Sequence, residues 1–347
     1  MPMDVLTSHP GADTLDALMA RGAAFLGTRH AILGGAMSWV SERNLVAALS
    51  NAGAFGVIAC GAMSPERLAE EIAATQALTT RPFGVNLITM HPQLAELVDV
   101  CLAARVGHIV FAGGIPPGPA IRRAKEGGAK VICFAPAFAL ARKLVRSGAD
   151  ALVIEGSEAG GHIGPVSLNV LAQEILPQVH EVPVFVAGGI GRGEAMLSYL
   201  EMGAAGVQLG TRFVCATECV AHPSFKRAFI RAAARDAMPS VQVDASFPVI
   251  PVRALQNAGT RRFMEHQLEV IRRFQVGELS KDAAQLEIEH FWAGALRRAV
   301  VEGDIENGSV MAGQSVGMVT REQPATEIIA ELLEQARAAL AARRGRS

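Results

Sequence analysis

One pattern recurs along the chain between Ala31 and Arg212. A short apolar run ends in Gly or Pro, an amphipathic helix follows, and that helix stops at Gly. The runs are continuously apolar rather than alternating, which is typical of strands in a parallel sheet that is covered on both faces. The pattern predicts eight strands: Ala31–Leu33, Gly56–Ile58, Gly84–Leu87, His108–Phe111, Val131–Phe134, Ala151–Glu155, Val184–Ala187 and Gly206–Leu209.

The ends of several intervening helices carry the same signal. Gly follows the last helical turn at Gly53, Gly128, Gly148 and Gly203, where it can adopt the left-handed conformation without a Cβ clash. Eight βα units with right-handed crossovers close naturally into a barrel. An open doubly wound sheet has a similar alternation, but no dinucleotide-binding fingerprint follows the first strand. We therefore predict an α/β fold, a (β/α)8 TIM barrel.

The rhythm breaks after Arg212. Residues 221–304 contain three helical stretches and an irregular one, Met238–Ala254, that is rich in Pro and Val. We predict an inserted, mainly helical subdomain after strand 8 that covers the active-site face, with the barrel formed by residues 1–220 and 305–347. A final helix, Ala325–Ala342, is expected to pack back on the barrel.

Composition excludes several classes of partner. The formal net charge of the 347 residues is −1, so neither nucleic acid nor an anionic membrane surface is expected as a partner. The longest apolar run, Val131–Ala141, is far shorter than the ~20 residues of a membrane helix. The N-terminus carries Asp4 and lacks a signal-peptide pattern, and the five cysteines form no CxxC pair. We therefore expect a cytoplasmic enzyme that can form a homo-oligomer.

Two glycine-rich strand ends predict a phosphate site. TIM barrels commonly hold phosphate after strands 7 and 8. Here these strands end in Gly188-Gly189 and Gly210-Thr211. Glycines let backbone N–H groups approach a phosphate, and Thr211 adds a hydroxyl donor. Ordinary tight βα turns would have the same composition.

Strand 6 ends in a loop, Glu155–Gly164, that contains His162 among glycines. An imidazole at the catalytic face can take or give a proton near neutral pH. A metal site that uses Glu158 and His162 four residues apart is not expected, because Gly160 and Gly161 oppose a helix there. We predict His162 as the catalytic residue and no metal.

Strands 1 and 3 end in further candidates. The run Gly34–Trp39 offers adjacent glycines against which a planar ring can lie, although Met37 and Trp39 are more often core residues. Asn86 can hydrogen-bond the edge of a heterocycle or cap a turn.

Together these segments resemble the superfamily of nitronate monooxygenase (2-nitropropane dioxygenase) and flavin-dependent enoyl-ACP reductase II. The match runs from about Gly34 to Thr326. Its motifs are Gly34–Trp39, Pro82–Asn86, Glu155–His162, Ala187–Ile190, Val207–Phe213 and Gly308–Gln314.

The resemblance implies FMN as cofactor and His162 as the active-site histidine. The predicted cofactor-binding residues are Gly35, Ala36, Met37, Asn86, Glu155, Gly161, Gly188, Gly189, Gly210, Thr211, Met311 and Gln314. The substrate is then a small molecule, either a nitronate oxidised with O2 or an enoyl thioester reduced with NAD(P)H. Both branches share one flavin bed, and the nitronate monooxygenase assignment leads narrowly.

Two alternatives lie outside flavin chemistry. A non-catalytic barrel that binds a phosphorylated ligand would need the glycines but not His162. A phosphosugar isomerase or aldolase would need a Lys or carboxylate at a strand end, and Glu155 is the one candidate.

Overall fold

The computed structural model describes residues 10–61, 63–244, 247 and 249–344. Asp4 and the outermost parts of the predicted barrel segments lie outside the described residues. Among those described, the strands are β1 (Ile32–Gly34), β2 (Gly56–Ala59), β3 (Phe83–Ile88), β4 (His108–Ala112), β5 (Lys130–Phe134), β6 (Ala151–Glu155), β7 (Gly161–His162), β8 (Val184–Ala187), β9 (Gly206–Leu209), β10 (Ala237–Pro239), β11 (Val252–Leu255) and β12 (Val310–Met311).

Eight parallel strands form the predicted barrel. Their order in the sheet is β1-β9-β8-β6-β5-β4-β3-β2. The ring closes between β1 and the start of β2, where the Gly34 N–H donates to the Phe55 carbonyl and the Phe55 N–H to the Ile32 carbonyl, at 2.9 and 2.8 Å. Because all eight strands are parallel, their carboxyl ends meet at one face of the barrel.

Helices alternate with the strands and cover the barrel. In the described residues they are α1 (Pro10–Leu26), α2 (Arg43–Asn51), α3 (Pro65–Leu78), α4 (Leu94–Ala103), α5 (Gly118–Glu126), α6 (Phe138–Arg146), α7 (Leu168–Ile175), α8 (Gly193–Glu201), α9 (Thr211–Val214), α10 (Pro223–Arg231), α11 (Ala258–Gln275), α12 (Lys281–Arg297) and α13 (Ala325–Arg344). The four predicted glycine caps all have positive φ, from 83° at Gly53 to 104° at Gly203. None of the described helices is long and apolar enough to cross a membrane.

Helix α1, which the strand pattern did not predict, closes the amino-terminal end of the barrel. The Phe25 carbonyl receives hydrogen bonds from the side chains of His108 and Lys130, which stand at the starts of β4 and β5. Burial lowers the pKa of His108 to about 4, so the imidazole is neutral at physiological pH. The opposite, carboxyl-terminal face is therefore the face open to a ligand.

Residues 221–304 contain α10, α11 and α12, in agreement with the predicted helices. A separate apolar cluster lies between α11 and α12 and includes Phe263 and Trp292. The prediction that Met238–Ala254 is irregular is wrong at both ends, because the stretch begins in β10 and ends in β11. Strand β11 pairs with β10 and β12 and also with β7 of the barrel loop. The insertion is thus joined to the barrel by an antiparallel sheet. The division into a barrel and a subdomain that covers the active-site face stays a prediction.

The five cysteines are free and buried. Burial raises the pKa of the Cys60 thiol to about 11, and the other four are shifted in the same direction for the same reason. These thiols are therefore protonated packing groups rather than nucleophiles.

Candidate functional site

The ends of β1 and β9 lie side by side at the barrel mouth. The Gly35 N–H donates to the Leu209 carbonyl at 2.8 Å. A Cβ on Gly35 would lie 3.3 Å from Nε2 of Gln208, and a Cβ on Gly210 would lie 3.3 Å from the Met37 sulfur. The structure therefore brings together the predicted residues of strands 1 and 8. Ala36, next to Gly35, is partly exposed at the same edge.

Gln208 was not among the predicted site residues. Its side chain is buried, at 8 % exposure, and it belongs to the otherwise apolar strand β9. A polar side chain that points into a barrel interior needs a hydrogen-bond partner. The single polar residue in the run Gly206–Leu209 was the signal that could have identified it.

The glycines after β8 lie against the loop that follows β6. Gly188 and Gly189 have φ values of +100° and +70°, a region that favours glycine. A Cβ on Gly188 would lie 3.0 Å from the Gly156 carbonyl oxygen, and one on Gly189 would lie 3.0 Å from the Glu158 Cβ. The close approach and the backbone conformation both require glycine here.

Met311–Gln314, which we call the return segment, leads back from the insertion to the barrel mouth. The Gly313 N–H donates to the Thr211 hydroxyl at 3.0 Å, and the Gln314 N–H donates to the Glu158 carbonyl at 2.9 Å. The Met311 sulfur lies 3.6 Å from the position that a Cβ on Gly161 would occupy. The return segment thus joins the β6 loop to the end of β9, and it unites four predicted residues.

Two proton-transfer candidates lie at the end of β6 and in the loop that follows it. Glu155 is its last residue, and burial raises the pKa of the Glu155 carboxyl to about 7. His162 is exposed and lies in β7, where it pairs with Val252 of β11. The insertion therefore provides the strand that holds the backbone of His162.

Arg253 of β11 is a second residue that the sequence did not reveal. It is 6 % exposed, and its guanidinium donates to the carbonyls of Ser157 and Ala237. Burial lowers the pKa of this guanidinium, although arginine stays charged in proteins. Arg253 therefore ties the insertion to the loop that carries His162.

Asn86 lies within β3 rather than in a turn, so the turn-capping interpretation is wrong. Its side chain is buried, at 5 % exposure, and donates to the Val110 carbonyl of the neighbouring β4 at 3.3 Å. In the sheet, β2 and β1 lie between β3 and the glycine-rich ends of β9 and β8. The other predicted residues cluster around β1, β6, β8 and β9.

The mouth contains a hydroxyl donor suited to a phosphate group. The Thr211 hydroxyl accepts from the Gly313 N–H and retains its own proton to donate. Glu158, by contrast, is a structural residue, because its carboxylate caps α7 at the Leu168 N–H at 2.9 Å. No group of His, Cys, Asp and Glu side chains able to hold a metal occurs within the described part of the chain.

Similar proteins of known sequence are oxidoreductases. A (3aS,4S,5R,7aS)-5-hydroxy-7a-methyl-1-oxo-octahydro-1H-indene-4-carboxyl-CoA dehydrogenase of Mycobacterium tuberculosis is 30 % identical over 333 residues, which cover 89 % of this chain and 93 % of that protein. A nitronate monooxygenase of Paraburkholderia phytofirmans is 26 % identical over 354 residues, with 88 % and 92 % covered.

Solved structures agree with the barrel. FabK from Thermotoga maritima has 37 % sequence identity and a TM-score of 0.84, and the match covers 94 % of this chain and 99 % of FabK. The model of the nitronate monooxygenase family matches residues 20–103 and 93–335, which is most of the chain. The chain belongs to the nitronate monooxygenase family.

Proposed function

We propose that the protein is an FMN-dependent oxidoreductase that acts on an acyl thioester. The observation that carries the cofactor assignment is the convergence of glycine-rich strand ends with the Thr211 hydroxyl and the return segment. Gly188, Gly189 and Gly210 would face the phosphate, and Gly35, Met37 and Asn86 the ring. FMN, when bound, supplies reversible hydride transfer.

The substrate class follows from the relatives. The dehydrogenase from M. tuberculosis acts on a CoA thioester by its name, and FabK is an enoyl-ACP reductase. Their identities of 30 and 37 % exceed the 26 % of the nitronate monooxygenase from P. phytofirmans. This order favours the thioester branch, which the sequence analysis placed narrowly second, with NAD(P)H as the electron donor. The free buried thiols support a cytoplasmic location.

In this proposal the proton moves through His162. The side chain is exposed at the mouth while its backbone is held by β11, so the imidazole can meet a substrate carbon without losing its position. Glu155 stands at the start of the same loop. Because its pKa is raised to about 7, part of the carboxyl population is protonated at neutral pH. Arg253 holds the same loop through the hydrogen bond from its guanidinium to the Ser157 carbonyl.

Nitronate oxidation is the second candidate. The family model that matches the chain is that of nitronate monooxygenase, and a curated nitronate monooxygenase spans 88 % of it. The same histidine would then handle the α-proton of a nitroalkane. The barrel and its predicted flavin bed serve both reactions, so the electron donor distinguishes them.

The cofactor site is tested at Gly210. Gly210→Asp places a negative charge beside the proposed phosphate, and we expect the purified variant to lack FMN while keeping its far-UV circular dichroism. Gly210→Ala is the matched control, because its methyl group meets only the flexible Met37 side chain and should leave the flavin bound. An aspartate variant that purifies with a full complement of flavin would place the phosphate elsewhere.

The substrate class is tested by anaerobic absorbance spectroscopy. We expect NADH or NADPH to bleach the visible flavin band, and an enoyl-CoA such as crotonyl-CoA to restore it in the absence of O2. An alkyl nitronate should bleach the band slowly or not at all. Rapid bleaching by the nitronate with no response to either nicotinamide would promote the second candidate.

The role of His162 is tested with His162→Asn. Asn keeps a hydrogen-bond donor of similar size, so the fold and the flavin should remain. Bleaching by NAD(P)H should be little changed, whereas turnover with the thioester should fall roughly 10²–10⁴-fold, the usual contribution of a placed acid or base. Equal losses in both half-reactions would indicate a binding or structural residue instead.

The raised pKa of Glu155 has a consequence for stability. Its carboxyl binds a proton more tightly in the folded state than at its ordinary pKa of 4.5. The resulting stabilisation is present below pH 4.5 and is lost as the pH rises to about 7. We expect the free energy of unfolding to fall by at most about 3 kcal/mol across this window.

Glu155→Gln should remove that component, as measured by urea unfolding at a series of pH values with flavin at constant concentration. Glu174→Gln, at an exposed position of α7, is the control and should keep the slope of the wild type. Identical slopes in all three proteins would mean that Glu155 is solvated.

A further inference from the structure

The barrel mouth is divided by charge into two halves. The last residue of β6 is Glu155, and the segments that follow β6, β8 and β9 carry Glu158, Arg192 and Arg212. The segments that follow the five adjacent strands β1 to β5 contain no Asp, Glu, Lys or Arg: 35–41, 60–64, 89–93, 113–117 and 135–137. The first charge after β1 is Glu42, which caps α2. We call the side formed by β1 to β5 the uncharged half.

Three large apolar side chains are exposed on the uncharged half. Trp39, Met90 and Ile115 are 47, 73 and 52 % exposed, and they follow β1, β3 and β4. Neighbouring loops touch one another, since the Thr89 hydroxyl donates to the Gly113 carbonyl at 2.8 Å. Apolar side chains that are exposed on an uncharged part of the barrel face that receives the ligand are suited to contact an apolar part of that ligand.

Trp39 has a backbone conformation that disfavours its own side chain. The Val40 N–H donates to the Met37 carbonyl at 3.0 Å and closes a turn with Trp39 as its third residue. Its φ is +66°, the conformation for which such turns select glycine. Elsewhere in the described residues only Arg105 combines a side chain with positive φ. A bulky residue held in this region indicates that its ring has a function.

The insertion holds the indole from one side. The Arg297 guanidinium, at the end of α12, lies over the Trp39 ring at 5.8 Å from its centroid. Arg297 also forms an ion pair with Glu302. The ion pair leaves no net charge beside the exposed indole.

We propose that Trp39 determines substrate specificity by forming the wall against which the apolar acyl group packs. The inference rests on the proposed thioester function and adds to it that the acyl group is large and apolar. The thioester lies near His162 on the charged half, and the acyl group extends across the mouth toward β1, β3 and β4. An indole offers a large apolar surface at a small cost in conformational entropy.

The experiment compares Trp39→Gly with Trp39→Phe in the flavin-loaded enzyme. Glycine removes the ring and suits the positive φ, so its thermal stability should equal or exceed that of the wild type. The ratio of kcat/KM for dodecenoyl-CoA to that for crotonyl-CoA should fall roughly tenfold or more in Trp39→Gly. Trp39→Phe retains an aromatic wall and should keep most of the ratio. Arg297→Gln, which frees the ring, should give a smaller fall.

A binding measurement separates this inference from the proposed reaction. Trp292, the other of the two tryptophans, is 2 % exposed, so the emission lost in Trp39→Phe belongs to Trp39. Saturated dodecanoyl-CoA, which the enzyme cannot reduce, should change that emission, and free CoA should not. An unchanged ratio in Trp39→Gly, or equal responses to dodecanoyl-CoA and CoA, overturns the role of Trp39. Absence of thioester turnover with an intact dodecanoyl-CoA response overturns the reaction alone.

Discussion

The site depends on the close approach of two backbones that are far apart in the sequence. The Gln314 N–H reaches the Glu158 carbonyl, and a Cβ on Gly160 would lie only 2.6 Å from the Gly313 nitrogen. A side chain at Gly160 or Gly313 would force the return segment away from the β6 loop. The position of Thr211 depends on the same approach, because its hydroxyl accepts from Gly313. The arrangement of the barrel mouth therefore requires glycine at these two positions.

Much of the barrel could be predicted because its signals are local. Strands β6, β8 and β9 have the predicted bounds, and glycine caps ended the predicted helices. Apolar runs of four or five residues followed by glycine are patterns that each segment carries by itself. Chain order along a parallel barrel then places the strand ends together, which is why residues of strands 1, 7 and 8 could be assigned to one site.

What the sequence did not reveal arises from pairing over long distances. The two-residue strands Gly161–His162 and Val310–Met311 have no periodicity to detect, and each exists because β11 pairs with it. Arg253 lies in a stretch with no regular pattern, so nothing indicated that its charge is buried. Gln208 carried a signal, a polar residue inside an apolar strand, but a single residue of this kind is easily assigned to packing. For Asn86 the strand was predicted correctly, and the alternative that its side chain caps a turn was wrong.

The position of the return segment also sets an order of events during synthesis. All eight barrel strands are complete at Leu209, so the ring can close while the ribosome is still producing the insertion. The loop with His162 has no partner strand until β11 has emerged from the ribosome. Thr211 cannot contact the return segment until Gly313 has emerged. A nascent chain that ends before Gly313 therefore contains all eight barrel strands but lacks the return segment of the proposed cofactor bed. If the proposed flavin binds there, its full retention is a late event that requires nearly the whole chain to have been made and folded.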